Sequence, residues 1–456
     1  MAEKIRHNPL LLFALGFLLG GVGLYFKIPY ATVLFLGLVA LAVFFESPYV
    51  SVLCGVFGYI FLPDILTLLL LYGTFGLYVF RRFFRPSTPF VAAGHEAIAY
   101  VYFLFMIIQT VTSLLLFGSL RDLAIHTGGM FLMILVINEA TEAESLHKLF
   151  SAVTVAATLL ALIGIAQYVI GVDIQAEWVD TSSNAEIRAR AYSLFGNPNI
   201  FAEYLVMVMP LTVATFWTTK RDGVRLLFVA MFLVQLAALF MTMSRGGWVG
   251  LAFAALVFVW IVRKELLLLA IPLSGIGMFF IPETFVSRFL TIFNFRDSST
   301  SYRFKIWEIT EELIRDHFLV GVGLGHQPFK LIFEQYIRTM PIFHAHNSYI
   351  EIFAELGVVG FVLFLLFMGS IFVNLIRYPL RSEDPYIRIF GASLTASFCG
   401  MLLHGMFENI FYMTKITTTF WLLLAFTYCL VRICKQRRAS AHSEKRMISH
   451  GEQSFI

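Results

Sequence analysis

Apolar runs long enough to cross a lipid bilayer recur along almost the whole chain. Of 456 residues, 59% are hydrophobic and only 14% are charged, and the mean hydropathy is +0.81. Because backbone polar groups inside a bilayer must be paired within the protein, such runs fold as spanning helices. We predict spans near residues 9–26, 30–45, 48–62, 64–80, 97–117, 122–137, 148–171, 199–217, 224–242, 246–262, 265–281, 348–376, 386–407 and 414–433.

This series predicts an all-α fold: a polytopic membrane helix bundle of about 12 to 14 transmembrane helices with one large helical extracytoplasmic loop. The number is a range because the third run is short and two others can be re-entrant or merged. The chain divides into N-terminal transmembrane helices (1–281), the loop (282–345), C-terminal transmembrane helices (346–434) and a polar tail (435–456). The composition of the tail predicts a disordered cytoplasmic segment.

The distribution of Lys and Arg predicts the orientation of the bundle. Basic residues collect in alternate connections and in the tail, whereas the intervening short turns hold few: Lys27, Arg121 and Lys415. This asymmetry places both termini in the cytoplasm and the 282–345 loop outside it. Residues 9–26 lack a convincing small-residue cleavage site and run into further spans, so we predict no cleavable signal.

Charge and cysteine usage narrow the classes of function. The net charge of +4 reflects the topological bias, and the 282–345 loop holds seven Lys or Arg against seven Asp or Glu, which gives no support for nucleic-acid binding. The four cysteines lie in predicted spans or at a cytoplasmic end. Neither disulfides nor a cysteine-based metal site is therefore indicated.

Polar features from separate parts of the sequence fall on the predicted non-cytoplasmic side. They are Arg188 and Arg190 with the turn Gly196-Asn197-Pro198-Asn199, the turn Ser244-Arg245-Gly246-Gly247, Arg303, and His346. Their convergence indicates a site. Planar guanidinium groups suit bidentate binding of phosphate oxygens, so several converging arginines predict a diphosphate site. The alternatives are snorkelling side chains or ion pairs with Glu203, Glu351 or Glu355.

The Gly196–Asn199 turn precedes a predicted span. Asn199 is the expected N-cap, with Asn197 in the turn before it, and the free N–H groups of such a helix start can face an anion. A turn without a ligand explains the same residues.

His346 is the candidate general base. A neutral imidazole at a membrane surface accepts a proton from a sugar hydroxyl, and Asn347 or a nearby carboxylate can fix its tautomer. The alternative is a helix-start residue with a local hydrogen bond. Because His344 and His346 lack a cysteine or a third convincing ligand, we predict no metal and no cofactor.

Two further patterns need interpretation. Glu351 and Glu355 lie one helical turn apart and are interpreted as residues that orient the arginines or His346, with a proton relay as the alternative. The turn Gly321–Gly325 is not preceded by a strand, so it does not indicate a dinucleotide loop.

In their order along the chain, these motifs resemble the O-antigen ligase and Wzy-type polymerase superfamily of bacterial envelope glycosyltransferases. The blocks that carry the resemblance are Arg190 with Gly196-Asn197-Pro198-Asn199-Ile200-Phe201-Ala202; Ser244-Arg245-Gly246; Arg303-Phe304-Lys305-Ile306-Trp307; Asp316 to Gly323; Ala345 to Glu351; and Glu355 to Gly360. The many-helix pattern agrees with the resemblance over the whole chain.

The resemblance implies transfer of a glycan from an undecaprenyl-diphosphate carrier to an acceptor hydroxyl on the outer face of the bacterial cytoplasmic membrane, by a metal-independent inverting glycosyltransferase. Arg190 and Arg303 would hold the diphosphate, Arg245 would support it electrostatically, and His346 would deprotonate the acceptor. The implied partners are the lipid-linked donor, a glycan, lipid or protein acceptor, and membrane lipids.

The motif series favours the ligase branch of the superfamily. A Wzy-type repeat-unit polymerase is the alternative, and a polysaccharide or lipid transporter is a third hypothesis. A transporter predicts related halves and broken helices near the midplane, whereas the sequence shows polar clustering at the outer side.

Overall fold

The computed structural model describes residues 41, 43–85, 94–172, 189–268, 283–290, 298–340 and 342–453. The helices in these ranges are α1 (Pro48–Gly58), α2 (Asp64–Phe84), α3 (Ala97–Val111), α4 (Leu116–Glu139), α5 (Ala143–Ile170), α6 (Pro198–Thr218), α7 (Asp222–Met241), α8 (Arg245–Arg263), α9 (Glu283–Leu290), α10 (Ser298–Asp316), α11 (His326–Tyr336), α12 (Ser348–Arg377), α13 (Pro385–His404) and α14 (Thr414–Gln453). Short 3-10 turns occupy Lys264–Leu266 and Pro379–Arg381. The described ranges contain no strand, and the all-α prediction is confirmed.

Nine helices within the described ranges are long and apolar enough to cross a membrane: α2, α4, α5, α6, α7, α8, α12, α13 and α14. The polytopic bundle is therefore confirmed. The predicted span 9–26 and most of 30–45 lie outside the residues that the structure describes. Of the predicted span 265–281, the structure describes only residues 265–268.

Two predicted spans are shorter than expected. The 48–62 run gives α1, which ends at Gly58 shortly before Pro63, a residue that cannot continue a helix. The 97–117 run gives α3, which ends at Val111 because Thr112 and Ser113 turn the chain: the Thr112 hydroxyl donates to Ile108 O and the Ser113 hydroxyl accepts from Leu115 N.

Helix α14 is the centre of the bundle, since its most apolar stretch is buried on every side. It meets α4 where the ring of Trp421 lies directly over Gly129, leaving no room for a side chain there. Helices α8 and α13 also approach closely, because a Cβ atom on Gly400 would lie 2.9 Å from the carbonyl oxygen of Gly250. Small residues at such crossings let membrane helices pack through their backbones.

The helix ends fall into two groups. At one end, which we call the site end, α5, α7 and α13 finish and α6, α8, α12 and α14 begin, as hydrogen bonds from Ala191 N to Met241 O and from Ser348 N to Gly405 O show. The other end is about 30 Å away, the length of a 20-residue helix. The site end gathers the candidate functional residues.

Helix α12 is broken at Gly357, which has φ 65° and ψ −174°. The glycine turn 321–325 packs against this break, and its amides pair with the carbonyls that the break frees: Val322 N donates to Ala354 O and Gly323 N to Glu355 O, both at 3.0 Å. The turn thus fastens the loop helices to the bundle.

The 282–345 segment contributes α9, α10 and α11. The buried face of α10, formed by Ile306, Ile309 and Leu313, joins Phe329 and Phe333 of α11 in a small apolar core of its own.

The end of the chain differs from the prediction. Helix α14 continues through most of the tail 435–456, as far as Gln453, where the sequence predicts disorder. The segment has no proline and contains Lys, Arg, Ala and Glu, which favour helices, so the preceding span propagates into it.

Candidate functional site

Arg190 lies buried at the site end, just before α6. Its Nε donates to the carbonyl oxygen of Thr242 at 2.8 Å, and its Nη2 donates to Asn199 Oδ1 at 2.9 Å. Thr242 directly follows α7 and Asn199 belongs to α6, so the guanidinium is held between two spans. A side chain fixed in this way is a positioned group and not a snorkelling one.

Three further arginines act on Arg190. After burial, the charges of Arg288, Arg245 and Arg303 are the main causes that lower the pKa of Arg190 to about 9. The structure therefore brings together the three predicted arginines, while Arg188 lies outside the described residues. Concentrated positive charge of this kind is relieved by a bound anion.

Arg288 was missed by the sequence interpretation. It lies on α9, and its Nε donates to Met243 O at 3.3 Å, next to the turn that starts α8. A single arginine in a polar loop of balanced charge gives no pattern that separates it from surface residues.

The turn before α6 differs from the prediction in one detail. Asn197 is the N-cap, and its Oδ1 accepts from Asn199 N at 2.8 Å, because Pro198 occupies the first helical position. The side chain of Asn199 is then available for other contacts. Besides accepting from Arg190, it donates from Nδ2 to Glu408 Oε2 at 3.2 Å.

His346 contacts the same carboxylate. Its Nδ1 lies 3.0 Å from Glu408 Oε1, and its side chain is 29% exposed while that of Glu408 is 2% exposed. His346 also has an unusual backbone angle, φ 51°, which the surrounding contacts must maintain. A hydrogen-bonded path thus runs from Arg190 through Asn199 and Glu408 to His346.

Glu408 lies in the connection between α13 and α14, some distance in sequence from every other site residue. The hydroxyl of Ser348, the first residue of α12, donates to Glu408 O and accepts from Ile410 N, both at 2.9 Å. These bonds fix the connection to the start of α12. The sequence interpretation missed Glu408 because an isolated carboxylate near the end of a span has no distinguishing motif.

The charge state of this carboxylate follows from its neighbours. Burial opposes ionisation, but His346, His344 and Arg303 outweigh it and hold the pKa of Glu408 well below its usual range. Burial and the charge of His346 lower the pKa of His344 to about 3, so His344 is neutral at physiological pH. Glu408 is therefore ionised, and its negative charge offsets the positive charge of the basic side chains around it.

His344, His346 and Glu408 also offer three ligand atoms within 4.8 Å of one another, the third ligand that the sequence lacked. The same atoms form hydrogen bonds in the structure. The amide of His346 donates to His344 Nδ1 at 3.1 Å, so the neutral ring carries its proton on Nε2, the atom 3.4 Å from Glu408 Oε1. In this arrangement both histidines act as hydrogen-bond partners of the Glu408 carboxylate.

The remaining predicted residues accept hydrogen bonds from backbone amides at the start of α12, beside His346 and in the glycine turn. Asn347 caps α12, since its Oδ1 accepts from Tyr349 N and Ile350 N. Glu351 accepts from Ala345 N at 2.6 Å, and Glu355 accepts from Gly325 N at 2.9 Å. The two glutamates thus hold the His346 loop and the glycine turn.

Fold and site define a multi-pass membrane protein with a polar centre at one end of its bundle. Residues 227–365 match the protein-family model described as O-antigen ligase. This match confirms the resemblance to the O-antigen ligase and Wzy-type polymerase superfamily and supports a ligase- or polymerase-type function. No curated protein matches the chain. The matched region includes Arg245, Arg288, Arg303 and His346.

Proposed function

We propose that the protein is an O-antigen ligase-like glycosyltransferase that moves a glycan from undecaprenyl diphosphate to an acceptor hydroxyl at the outer face of the cytoplasmic membrane. The observation that carries this proposal is the path from Arg190 through Asn199 and Glu408 to His346. It couples a cation cluster suited to a diphosphate with an imidazole suited to deprotonate a hydroxyl.

A lipid-facing groove beside the arginines supports a polyprenyl donor. The groove has a volume of about 810 Å³ and an almost entirely apolar lining from α6, α7, α8 and α9, including Trp217, Phe258 and Phe285. On α9, Phe285 and Phe289 line the groove while Arg288 reaches the turn before α8. We therefore propose that α9 contacts the donor at the point where its lipid tail joins the diphosphate.

The mechanism follows from these positions. The acceptor hydroxyl approaches Nε2 of His346, whose Nδ1–H donates to Glu408. As the hydroxyl oxygen bonds to the anomeric carbon, its proton passes to Nε2 and the bond to the diphosphate oxygen breaks. The arginines stabilise the charge that develops on the leaving diphosphate. A single displacement of this kind inverts the anomeric configuration.

Identification of the acceptor tests the proposal and separates its two branches. The purified protein in liposomes, supplied with a lipid-diphosphate glycan and with excess chelator, is expected to form a glycosidic bond to a lipid or protein acceptor. Products that contain only joined repeat units would instead identify a Wzy-type polymerase. Release of lipid diphosphate without any transfer product would contradict both.

Glu408→Gln is expected to lower kcat by about 100-fold or more, because an amide can donate to His346 Nδ1 and favour the wrong tautomer. Donor affinity should change little, since Glu408 is separated from the diphosphate by Asn199 and Arg190. Turnover and donor binding are measured on the same preparation. A variant that loses both equally would show that Glu408 maintains the fold and does not orient the base.

The orientation of the bundle has its own test. Cysteines placed at Ser301, on α10, and at Ser440, where the membrane-spanning part of α14 ends, are expected to react from opposite sides of the membrane in a background without the four native cysteines. The Lys and Arg distribution predicts that an impermeant thiol reagent labels only Ser301→Cys in intact cells. Labelling of Ser440→Cys alone would place the site in the cytoplasm.

A further inference from the structure

A second cavity, lined by charged residues, lies at the end of the bundle opposite the site. It has a volume of about 580 Å³, and its walls come from the starts of α5, α7 and α13, the turn between α6 and α7, and Arg437 of α14. One helix length, about 30 Å, separates it from the arginine cluster. It therefore does not belong to the glycosyl-transfer site.

The cavity carries surplus positive charge. Of its acidic residues, Glu144 pairs with Lys148 at 2.9 Å, and Asp384 pairs with Arg437. Lys220 and Arg221 also line the cavity, and neither pairs with a carboxylate in the part of the chain that the structure describes. The starts of three helices add partial positive charge at the same place.

The surroundings of the cavity are those of a bilayer surface. Val224 and Phe228 of α7 line it, and the neighbouring Leu226 and Leu227 are 69% and 52% exposed on a spanning helix, where they face lipid. A basic cavity between helix ends, beside a helix whose other face is exposed to lipid, suits the phosphate of a lipid headgroup better than a soluble anion.

We propose that this cavity binds the headgroup of an anionic phospholipid, with Lys220 and Arg221 as the principal contacts of its phosphate. The inference does not depend on the proposed glycosyl transfer. It assigns to the bundle a structural lipid at the face opposite the donor.

The test uses the full-length protein in neutral detergent. Phosphatidylglycerol is expected to raise the midpoint of thermal unfolding more than phosphatidylcholine does, and to be retained in native mass spectra. Lys220→Gln/Arg221→Gln should weaken this retention roughly tenfold or more. The control Lys264→Gln/Arg377→Gln removes two charges at the same end but outside the cavity, and should retain the lipid. Lys220→Arg/Arg221→Lys keeps the charges and should bind normally, which separates lost binding from lost folding.

Three results would overturn the proposal. Equal stabilisation by both lipids would show that headgroup charge is not recognised. Equal losses in the two Gln double variants would show a general attraction of basic surface to lipid. Full competition by soluble glycerol phosphate at millimolar concentration would identify a soluble anion as the occupant.

Discussion

His346→Ala is expected to lower kcat about 100-fold to 10,000-fold while the protein stays folded in the membrane, because that is the usual cost of removing a general base. The partly exposed ring stands between solvent and the buried carboxylate of Glu408 at 3.0 Å. Its Nε2 has no hydrogen-bond partner among the residues that the structure describes, so it is the basic atom available to an acceptor. Single-turnover rates with a saturating lipid-diphosphate donor measure the effect on the chemical step.

The matched control is His317→Ala, which removes a histidine of the same loop that lies outside the site. It should retain near-normal turnover. Donor affinity of His346→Ala should stay within a few-fold of the wild type, since the imidazole does not belong to the arginine cluster. Near-normal turnover of the purified His346→Ala protein would make His346 structural and leave the proposed mechanism without a base.

Local sequence patterns predict some of the residues of the candidate site. Arg190, Arg245, Arg303 and His346 each stand beside a turn or a helix start at a predicted membrane surface, and the structure places the arginines close enough to lower the pKa of Arg190. Topology brings such ends to one surface of the bundle, because consecutive spans must return to the same two surfaces, and helix packing decides which of them meet.

Local sequence patterns do not predict Glu408 and Arg288 as residues of the candidate site. The contact between Glu408 and His346 joins residues 62 positions apart, and it depends on Ser348 fixing the α13–α14 connection. Nothing in the residues around Glu408 encodes that approach. Arg288 belongs to an eight-residue helix whose position depends on the groove beside it.

The fold, too, is only partly predicted by local sequence patterns. Hydropathy predicts which segments span, but not which span is central, because lipid and protein interior are equally apolar to a Leu or Phe side chain. Helix α14 is enclosed on all sides, whereas α7 is largely exposed, although α7 is the more hydrophobic of the two. The break of α12 at Gly357 likewise depends on a glycine turn more than 30 residues earlier.

Arg190→Lys is expected to weaken donor binding by roughly 10- to 100-fold and to lower kcat as well, although the charge is retained. Hydrogen bonds to charged groups are worth about 1.5 to 3 kcal/mol, and an ammonium cannot replace a planar fork. In the wild type, Nε and Nη2 are committed to Thr242 and Asn199, which fixes the plane of the guanidinium for a ligand. A lysine has no such fixed plane, so both the orientation and the link to Glu408 are lost. Arg303→Lys should impair transfer for the same reason.

The control for this substitution is Arg315→Lys on the exposed face of α10, where the arginine pairs with Glu311 and charge alone is required. Binding of a fluorescent lipid-diphosphate donor to protein in nanodiscs measures the contact of the arginines with the diphosphate directly. Turnover measures the effect of that contact on the leaving group. If the Arg190→Lys and Arg303→Lys variants both bind donor and turn over like Arg315→Lys, then Arg190 and Arg303 do not bind a diphosphate. Another anion would then be needed to offset the charges of Arg288, Arg245 and Arg303, which lower the pKa of Arg190.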